Sequence, residues 1–464
     1  MEFRTEHDLI GDIEIPAQAY WGIHTQRAIK NFPFSTTPVH GDILFALSMV
    51  KKACCETNRE LGYLEVSVAD AMVAACEDVI AGKLSDQFPV DALQGGAGTS
   101  TNMNVNEVVA NKALEFLGKE KGDYAIVHPI EHVNLHQSTN DVYPTALKIA
   151  AILGIRKLSE AASVLQGALQ AKEREFASIL TIGRTEFVDA VPMTLGAQFS
   201  CFAEAVGRDR WRTFKCEERL RVVNIGGTAI GTGLTAPKSY IFLVIEKLRL
   251  ITGLGLCRAE NPMEQTANAD SFAEVAGILE AHAVNLRKIA QDLRLLHMIG
   301  DITLPAMQAG SSIMPGKINP VVCEAVISVS VKVRALLNIV NETAAMGTLQ
   351  INEFLPLLGQ SLIEALDLLQ SADMILAQHC ASIVANKSVC LKKLNQSQTI
   401  ITAFLPHIGY DKAETITLDF KKSNEPVFRT FLESRLGKEL VDKVLSPQSI
   451  MALGHNEVIN RTGK

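Results

Sequence analysis

Residues 147–169 have the sequence LKIAAILGIRKLSEAASVLQGAL, which contains a regular stripe of apolar and small side chains. The stripe consists of Leu147, Ala151, Ile155, Leu158, Ala162, Leu165 and Leu169. Steps of three and four residues give a period near ~3.5, which is typical of helices that pack in bundles. Alanines in the stripe allow neighbouring helices to approach closely. We therefore predict a long buried helix and an all-α fold.

Two further stripes support a bundle. One consists of Phe272, Val275, Leu279, Leu286 and Leu293, and the other begins at Pro320 and continues through Val331 and Leu337 to Val340. Helices much longer than the average of ~11–12 residues imply a long bundle. A purely structural coiled coil is the alternative. It is disfavoured because the heptad e and g positions carry a weak charge pattern.

Patterning along the 464 residues changes twice. The first part mixes short helical patterns with turns at glycine and proline, the middle part contains the long stripes, and Pro406, Gly409 and Pro426 punctuate the last part. We predict an N-terminal domain over residues 1–139, a central helical domain over 140–388 and a small C-terminal domain over 389–464.

Composition excludes several classes of protein. The net charge is −7 without a cluster of like charges, which argues against a nucleic-acid partner. No apolar run approaches ~20 residues, so we expect no membrane span. The charged N-terminus lacks a signal peptide pattern. The nine cysteines form no CxxC pair, so we expect neither disulfides nor a structural zinc site, which fits a reducing cytoplasm. A hydrophobic fraction of 47% favours oligomerisation.

Polar loops at predicted helix boundaries are the candidate functional segments. The first, GGAGTSTNMN (residues 95–104), offers backbone N–H groups and the side chains of residues 99–102, which suit an anion or cap the next helix. The second, HQSTND (residues 136–141), offers Ser138, Thr139 and Asn140 to a carboxylate or an amine, with Pro144 setting the next helix; a simple cap is the alternative. GGTAIGTG, from Gly226, is interpreted as a turn.

Two more polar loops lie further along the chain. The third, GRTEFVDAVP (residues 183–192), offers Arg184, Thr185 and Glu186, and Arg184 could equally brace the loop or bind a ligand. The fourth, GSSIMPGKINP (residues 310–320), places Lys317 just before a helix start at which Asn319 is the expected N-cap. Its glycines indicate a segment able to move as a lid, and a flexible linker is the alternative.

These loops, with YWGIHTQRAIKNFP and DAVPMTLG, resemble the aspartase/fumarase superfamily in order and approximate spacing. The resemblance implies an N-terminal domain, a central five-helix bundle and a small C-terminal domain. It also implies a homotetramer with a twenty-helix core, in which loops of three subunits form each active site. QGGAGTS, QSTND and NPVV are more similar to ammonia-lyases that act on aspartate, whereas YWG and NVNEV are more similar to class II fumarases.

Residue roles are carried over from the same resemblance. Elimination of ammonia from L-aspartate to give fumarate would use Ser311 as the base and no cofactor, through a dianionic aci-carboxylate. A serine needs N–H donors and positive charge to act as a base. The β-carboxylate would be bound by Thr99, Ser100, Ser138, Thr139 and Ser312, the α-carboxylate by Lys317 and Asn319, and the amino group by Asn140 and Thr185.

The chain departs from the superfamily pattern at two places. Glu186 stands where relatives usually have His or Gln, and its carboxylate could pair with a substrate ammonium while repelling carboxylates. The segment LRLLHMIGDITLP (residues 293–305) is shorter than the usual SGPR-containing segment. Glu186 argues against a fumarase, which YWG and NVNEV keep as an alternative. The shortened segment favours a second alternative, a weakly active member kept for structure or partner binding.

Overall fold

The computed structural model describes residues 2–455, and the fold is all-α apart from short two-stranded sheets. The strands are β1 (Phe3–Asp8), β2 (Gly11–Pro16), β3 (Leu180–Thr185), β4 (Val188–Thr194), β5 (Val222–Val223), β6 (Cys257–Arg258), β7 (Ile302–Thr303) and β8 (Val384–Ala385). They pair as β1–β2, β3–β4, β5–β6 and β7–β8, and only β5–β6 is parallel. The β1–β2 hairpin was not predicted, because few of its residues are buried and alternation is weak.

Helices form most of the described chain. They are α1 (Ile23–Asn31), α2 (Gly41–Glu60), α3 (Val66–Ile80), α4 (Thr99–Phe116), α5 (Thr139–Glu175), α6 (Leu195–Leu220), α7 (Lys238–Thr252), α8 (Pro262–Ala267), α9 (Asp270–Met298), α10 (Val321–Ala344), α11 (Leu355–Ala381), α12 (Lys387–Gln396), α13 (Leu405–Ile408), α14 (Tyr410–Lys422), α15 (Phe428–Leu436), α16 (Lys438–Val444) and α17 (Pro447–Ile450). Single turns of other helix types lie at Ser85–Gln87, Pro129–Val133 and Gln398–Phe404.

The predicted stripes belong to the long helices. All the stripe residues of α5 and of α9 are buried, which confirms the period assigned to both segments. The stripe of α10 is partly wrong, because Val331 is 52% exposed in the single chain. The buried positions of α10 are Cys323, Val326, Ser330, Val333, Leu336, Leu337, Val340 and Thr343. Ser330 is buried but polar, so it interrupts the apolar pattern, and the buried face could not be assigned correctly from the sequence.

Two compact units interleave along the chain. Residues 1–160, 209–283 and 330–370 form the first unit, and residues 161–208, 284–329 and 371–464 form the second. Each of α5, α6, α9, α10 and α11 contributes residues to both units. The three-domain division by chain order stays a prediction, and residues 456–464 of the predicted C-terminal domain lie outside the described chain.

The short C-terminal helices have their own core in the second unit. Apolar residues of α12 to α16 surround Phe404 and Phe428 and pack with Ile182 of β3. This core attaches the β3–β4 hairpin to the C-terminal helices. Within residues 2–455, no helix is long and apolar enough to cross a membrane.

Candidate active site

The start of α4 packs against α5 in the first unit. Gly98 precedes α4 with φ +97°, and a Cβ at this position would lie 2.5 Å from the Tyr143 ring. Only glycine allows this close approach. Thr99 and Ser100 are the first two residues of α4; Thr99 is exposed and Ser100 is half-buried.

A residue upstream of the loop caps α4. The Gln94 side-chain oxygen accepts hydrogen bonds from the Thr101 amide at 3.0 Å and from the Thr101 hydroxyl at 2.8 Å. The prediction that side chains of residues 99–102 cap the helix is therefore wrong. Because Gln94 satisfies this helix end, the hydroxyls of Thr99 and Ser100 are left available for other partners.

A capping box starts α5. The Ser138 hydroxyl accepts from the Asn140 amide at 3.2 Å, and Asp141 Oδ1 accepts from the Ser138 amide at 3.0 Å. Asp141 Oδ2 accepts from the amides of Gly226 and Thr228 at 3.1 and 2.9 Å, which attaches the predicted turn from Gly226 to this helix start. Burial raises the pKa of Asp141 to about 7. Asp141 ends the second polar loop but had no predicted role, although the spacing Ser-x-x-Asp signals such a box.

Pro144 lies inside α5 rather than at its start, which corrects our prediction. A proline has no N–H, so the Asn140 carbonyl loses its usual helical donor. The Asn224 side chain donates to that carbonyl at 3.0 Å instead. The Asn140 side chain in turn donates to the Ala229 carbonyl at 2.7 Å. Asn140 is therefore held on both its backbone and its side chain.

Asn102 joins the first two polar loops. Its Nδ2 donates to Thr139 Oγ1 at 3.1 Å, and Thr139 is buried. The structure thus brings the start of α4, with Thr99 and Ser100, beside the start of α5. Asn102 had been expected to offer a donor to an anion or to cap the helix, and its position in α4 carries no sequence signal for this contact.

The third segment, predicted as a loop at a helix boundary, is mostly strand: residues 183–185 end β3, residues 188–192 belong to β4, and only residues 186–187 form the turn of this hairpin in the second unit. Thr185 and Glu186 are exposed, and Phe187 is 86% exposed. Glu186 and Phe187 form the two-residue turn with φ +51° and +65°. Positive φ at two non-glycine residues is strained, and such strain is frequent at functional sites.

Arg184 braces the hairpin. Its guanidinium donates to the fully buried Asp301 at 2.9 Å and lies 3.3 Å from the exposed Asp189. Asp301 also accepts from Lys393 at 2.8 Å and from Thr181 at 3.2 Å. Asp301 belongs to the shortened segment at residues 293–305, and β7, which follows it, pairs with β8. The short segment is therefore ordered and attached to the hairpin.

We expect Asp301→Asn to lower the free energy of unfolding by about 3–5 kcal/mol, because it leaves two cations around a neutral buried group. Urea unfolding followed by circular dichroism measures this loss. The matched control is Asp189→Asn, which removes only an exposed ion pair and should cost less than about 1 kcal/mol. Equal losses in the two variants would contradict the bracing role of Asp301.

The fourth loop closes on itself just before α10. The Gly310 amide donates to the Lys317 carbonyl at 2.8 Å, and Asn319 Nδ2 donates to the Gly310 carbonyl at 2.9 Å. The helix begins at Val321, so the prediction of Asn319 as its N-cap is wrong. The Asn319 side chain instead helps to close the loop, through its hydrogen bond to the Gly310 carbonyl. Ser312 and Lys317 are exposed, whereas Ser311 and Asn319 are half-buried.

Backbone donors surround the Ser311 oxygen. Oγ accepts from the amide of Met314 at 2.9 Å and from the amide of Ile313 at 3.2 Å. Two N–H donors favour negative charge on an oxygen. This geometry is what a serine base requires, and the loop supplies it from its own backbone.

The predicted site residues therefore form two groups. Thr99, Ser100, Ser138, Thr139 and Asn140 lie in the first unit; Thr185, Glu186, Ser311, Ser312, Lys317 and Asn319 lie in the second. Each group offers hydroxyl and amide groups suited to a small anion. That both groups serve one site stays a prediction.

Comparisons with known proteins agree with this fold and these loops. A family model described as "Lyase" matches residues 11–335. An aspartate ammonia-lyase from Pseudomonas fluorescens is 43% identical over 461 residues, which cover 97% of this chain and 96% of the relative. A fumarate lyase:delta crystallin from Brucella melitensis has a similar structure, with a TM-score of 0.93, 41% identity and coverage of 98% and 100% of the two chains.

A class II fumarase from Schistosoma mansoni is also similar, with a TM-score of 0.90, 30% identity and coverage of 98% and 100%. Fold and loops together define an enzyme of the lyase class. The chain belongs to the aspartase/fumarase superfamily of lyases, as its loops indicated.

Proposed function

We propose that the protein is a carbon–nitrogen lyase that reversibly eliminates ammonia from L-aspartate to give fumarate. The observation that carries this proposal is identity along nearly the whole chain. The aspartate ammonia-lyase of P. fluorescens is 43% identical to it, against 30% for the S. mansoni fumarase. The exposed carboxylate of Glu186 also suits a substrate that carries an ammonium group better than a hydroxy acid.

Ser311 is the proposed base in this reaction. Its alkoxide, stabilised by the amides of Ile313 and Met314, takes the proton from Cβ, and the electron pair delocalises into the β-carboxylate. Hydroxyl donors at Thr99, Ser100, Ser138, Thr139 and Ser312 stabilise the resulting dianion, as in other oxyanion sites.

The second half of the reaction breaks the Cα–N bond. Electrons return from the aci-carboxylate to form the Cα–Cβ double bond, and the nitrogen leaves with its bonding pair as ammonia. Lys317 and Asn319 hold the α-carboxylate, while Asn140 and Thr185 lie near the departing amine. Ser311 then releases its proton to solvent, so the enzyme is unchanged and no cofactor is consumed.

Assembly completes the site in this proposal. Homotetramer formation would combine loops from three subunits. Exposed apolar side chains on the fourth loop, Ile313, Met314 and Ile318, are consistent with a segment that is covered when the site closes. We place the enzyme in the cytoplasm, with a small dicarboxylate or amino acid as its partner.

One assay tests the proposed reaction. Purified protein is incubated with aspartate, with malate, or with fumarate plus ammonia, and fumarate absorbance is followed. Turnover of aspartate but not of malate is expected. Turnover of malate instead would establish the fumarase alternative, which the S. mansoni similarity motivates. A folded protein that turns over neither substrate would contradict the proposal.

Glu186→Gln should weaken aspartate binding, because it removes the negative charge proposed to face the ammonium. Glu186 is exposed, so we expect a change of about 1 kcal/mol, or roughly fivefold in KM. KM for aspartate and affinity for succinate, which has no ammonium group, are measured in parallel. Succinate should bind as well as before or better.

The control for this variant is Glu414→Gln on α14, which removes an exposed carboxylate from the same unit. Its KM for aspartate should equal that of the unmodified protein. Unchanged kinetics of Glu186→Gln on every substrate tested would remove Glu186 from the site.

A further inference from the structure

A buried lysine lies behind the second polar loop. Lys51 of α2 is 1% exposed and is among the largest fully buried side chains. Its ammonium donates to Asn134 Oδ1 at 2.9 Å and to Gln137 Oε1 at 2.8 Å. No ion pair of Lys51 occurs among residues 2–455, so its partners there are neutral amides. Burying a charge in this way costs free energy that no paired carboxylate offsets.

Both acceptors belong to the turn that leads into α5. The Gln137 side chain also donates to the Val133 carbonyl at 2.9 Å and to the Leu135 carbonyl at 3.2 Å. Asn134 Nδ2 donates to the Gln137 carbonyl at 3.2 Å. Lys51 therefore holds the turn immediately before Ser138 from the inside.

A hydrogen-bonded path connects the ammonium to Thr139. Asn134 Oδ1 accepts from Lys51 and also from Asn102 Nδ2 at 3.2 Å. The same Asn102 Nδ2 donates to Thr139 Oγ1 at 3.1 Å. Since the Thr139 oxygen accepts this bond, its own hydrogen can be donated to an anion. Only two amide side chains separate the buried charge from a predicted carboxylate-binding hydroxyl.

The titratable groups around Lys51 offset only part of its charge. Burial lowers the pKa of Lys51 to about 8, so the amine is mainly protonated at neutral pH. Burial raises the pKa of Cys54 and of Cys76 to about 12, so both thiols are neutral. Asp141, the acidic group nearby, has a pKa raised to about 7 and is bonded to three backbone amides.

We propose that Lys51 is a positioning residue that also supplies positive potential to the anion site at Ser138 and Thr139, favouring dicarboxylate ligands. The identity of the ligand rests on the proposed function, whereas the existence of an anion site at these hydroxyls does not. The potential grows in value as the substrate becomes the more highly charged aci-carboxylate.

Two variants separate the charge from the packing. Lys51→Met removes the charge and keeps an unbranched apolar chain. Asn134→Asp keeps the shape and gives the ammonium a carboxylate partner that cancels its potential. It also replaces the donor to the Gln137 carbonyl by an oxygen, so its fold is checked by circular dichroism. The probe is succinate, an unreactive dicarboxylate, and its dissociation constant is measured by calorimetry on the intact protein.

Both variants should weaken succinate binding by about tenfold, as expected for a unit charge acting at about 10 Å in a protein interior. In both, kcat/KM for aspartate should fall further than the succinate affinity. The matched control is Lys172→Met, which removes a second buried lysine near the other end of α5, where its ammonium bonds to the Ile383 carbonyl and pairs with Glu175. Its succinate affinity should stay within twofold of the unmodified protein.

Each outcome decides one of the two proposals. Suppose that the unmodified protein turns over aspartate and that folded Asn134→Asp binds succinate as tightly as the unmodified protein does. This result overturns the role of Lys51 and leaves the proposed function intact. Suppose instead that the unmodified protein binds succinate but turns over no substrate, and that both variants bind succinate more weakly. This result overturns the proposed function and supports the proposed role of Lys51. If the unmodified protein does not bind succinate, the Lys51 proposal fails. If Lys51→Met does not fold, Asn134→Asp alone decides.

Discussion

Ser311→Ala is expected to lower kcat for aspartate by about 10³-fold, because it removes the proposed base. The amides of Ile313 and Met314 lose their acceptor but lie in an exposed loop, where water replaces it. Folding and affinity for succinate should therefore change little. Steady-state kinetics with aspartate, together with succinate calorimetry, measure the two effects separately.

Ser312→Ala is the matched control for Ser311→Ala. Ser312 is the neighbouring exposed serine and is proposed to bind the substrate carboxylate rather than to take a proton. It should raise KM by about tenfold, the value of one charge-assisted hydrogen bond, and lower kcat less than Ser311→Ala does. The reverse order of effects would assign the base to Ser312.

Gly310→Ala should lower kcat/KM by about 100-fold while leaving the melting temperature almost unchanged. A Cβ at position 310 would lie 2.7 Å from the Asn319 amide nitrogen and 2.8 Å from the Lys317 carbonyl oxygen. These are backbone atoms that close the loop, so the loop must open and displace its functional side chains. Displacements near 1 Å cost about 10²-fold in rate.

Gly316→Ala distinguishes this closure from general flexibility of the loop. Gly316 has φ +82°, but a Cβ there would meet no atom within 4 Å. The substitution should cost only about 1–2 kcal/mol of local backbone strain and leave activity within tenfold. Equal loss of activity in the two variants would show that mobility, rather than closure at Gly310, governs the loop.

Periodicity predicted the helical architecture because it records which face of each helix is buried. The stripes of α5 and α9 are confirmed at every position named. The stripe of α10 was misassigned at Val331 because a buried serine at position 330 interrupts the apolar pattern. The β1–β2 hairpin was missed because strands with few buried residues produce little alternation.

Helix ends were predicted less well than helix faces. Gln94, rather than the side chains of residues 99–102, caps α4, and the Asn319 side chain closes its own loop rather than capping α10. Pro144 was expected to begin a helix but lies inside α5, where Asn224 supplies the missing donor. Local rules describe which residues are able to cap, whereas tertiary neighbours determine which of them do so.

Superfamily membership and the all-α class followed from residue types and their local order, whereas the chemistry of the polar loops stays a prediction. The contacts that support those loops did not follow from local order. Asp301 braces Arg184 from 117 positions away, and Lys51 holds Gln137 from 86 positions away. A buried polar group must find a partner wherever the packed chain brings one, so its partner is set by three-dimensional proximity and leaves no periodic trace.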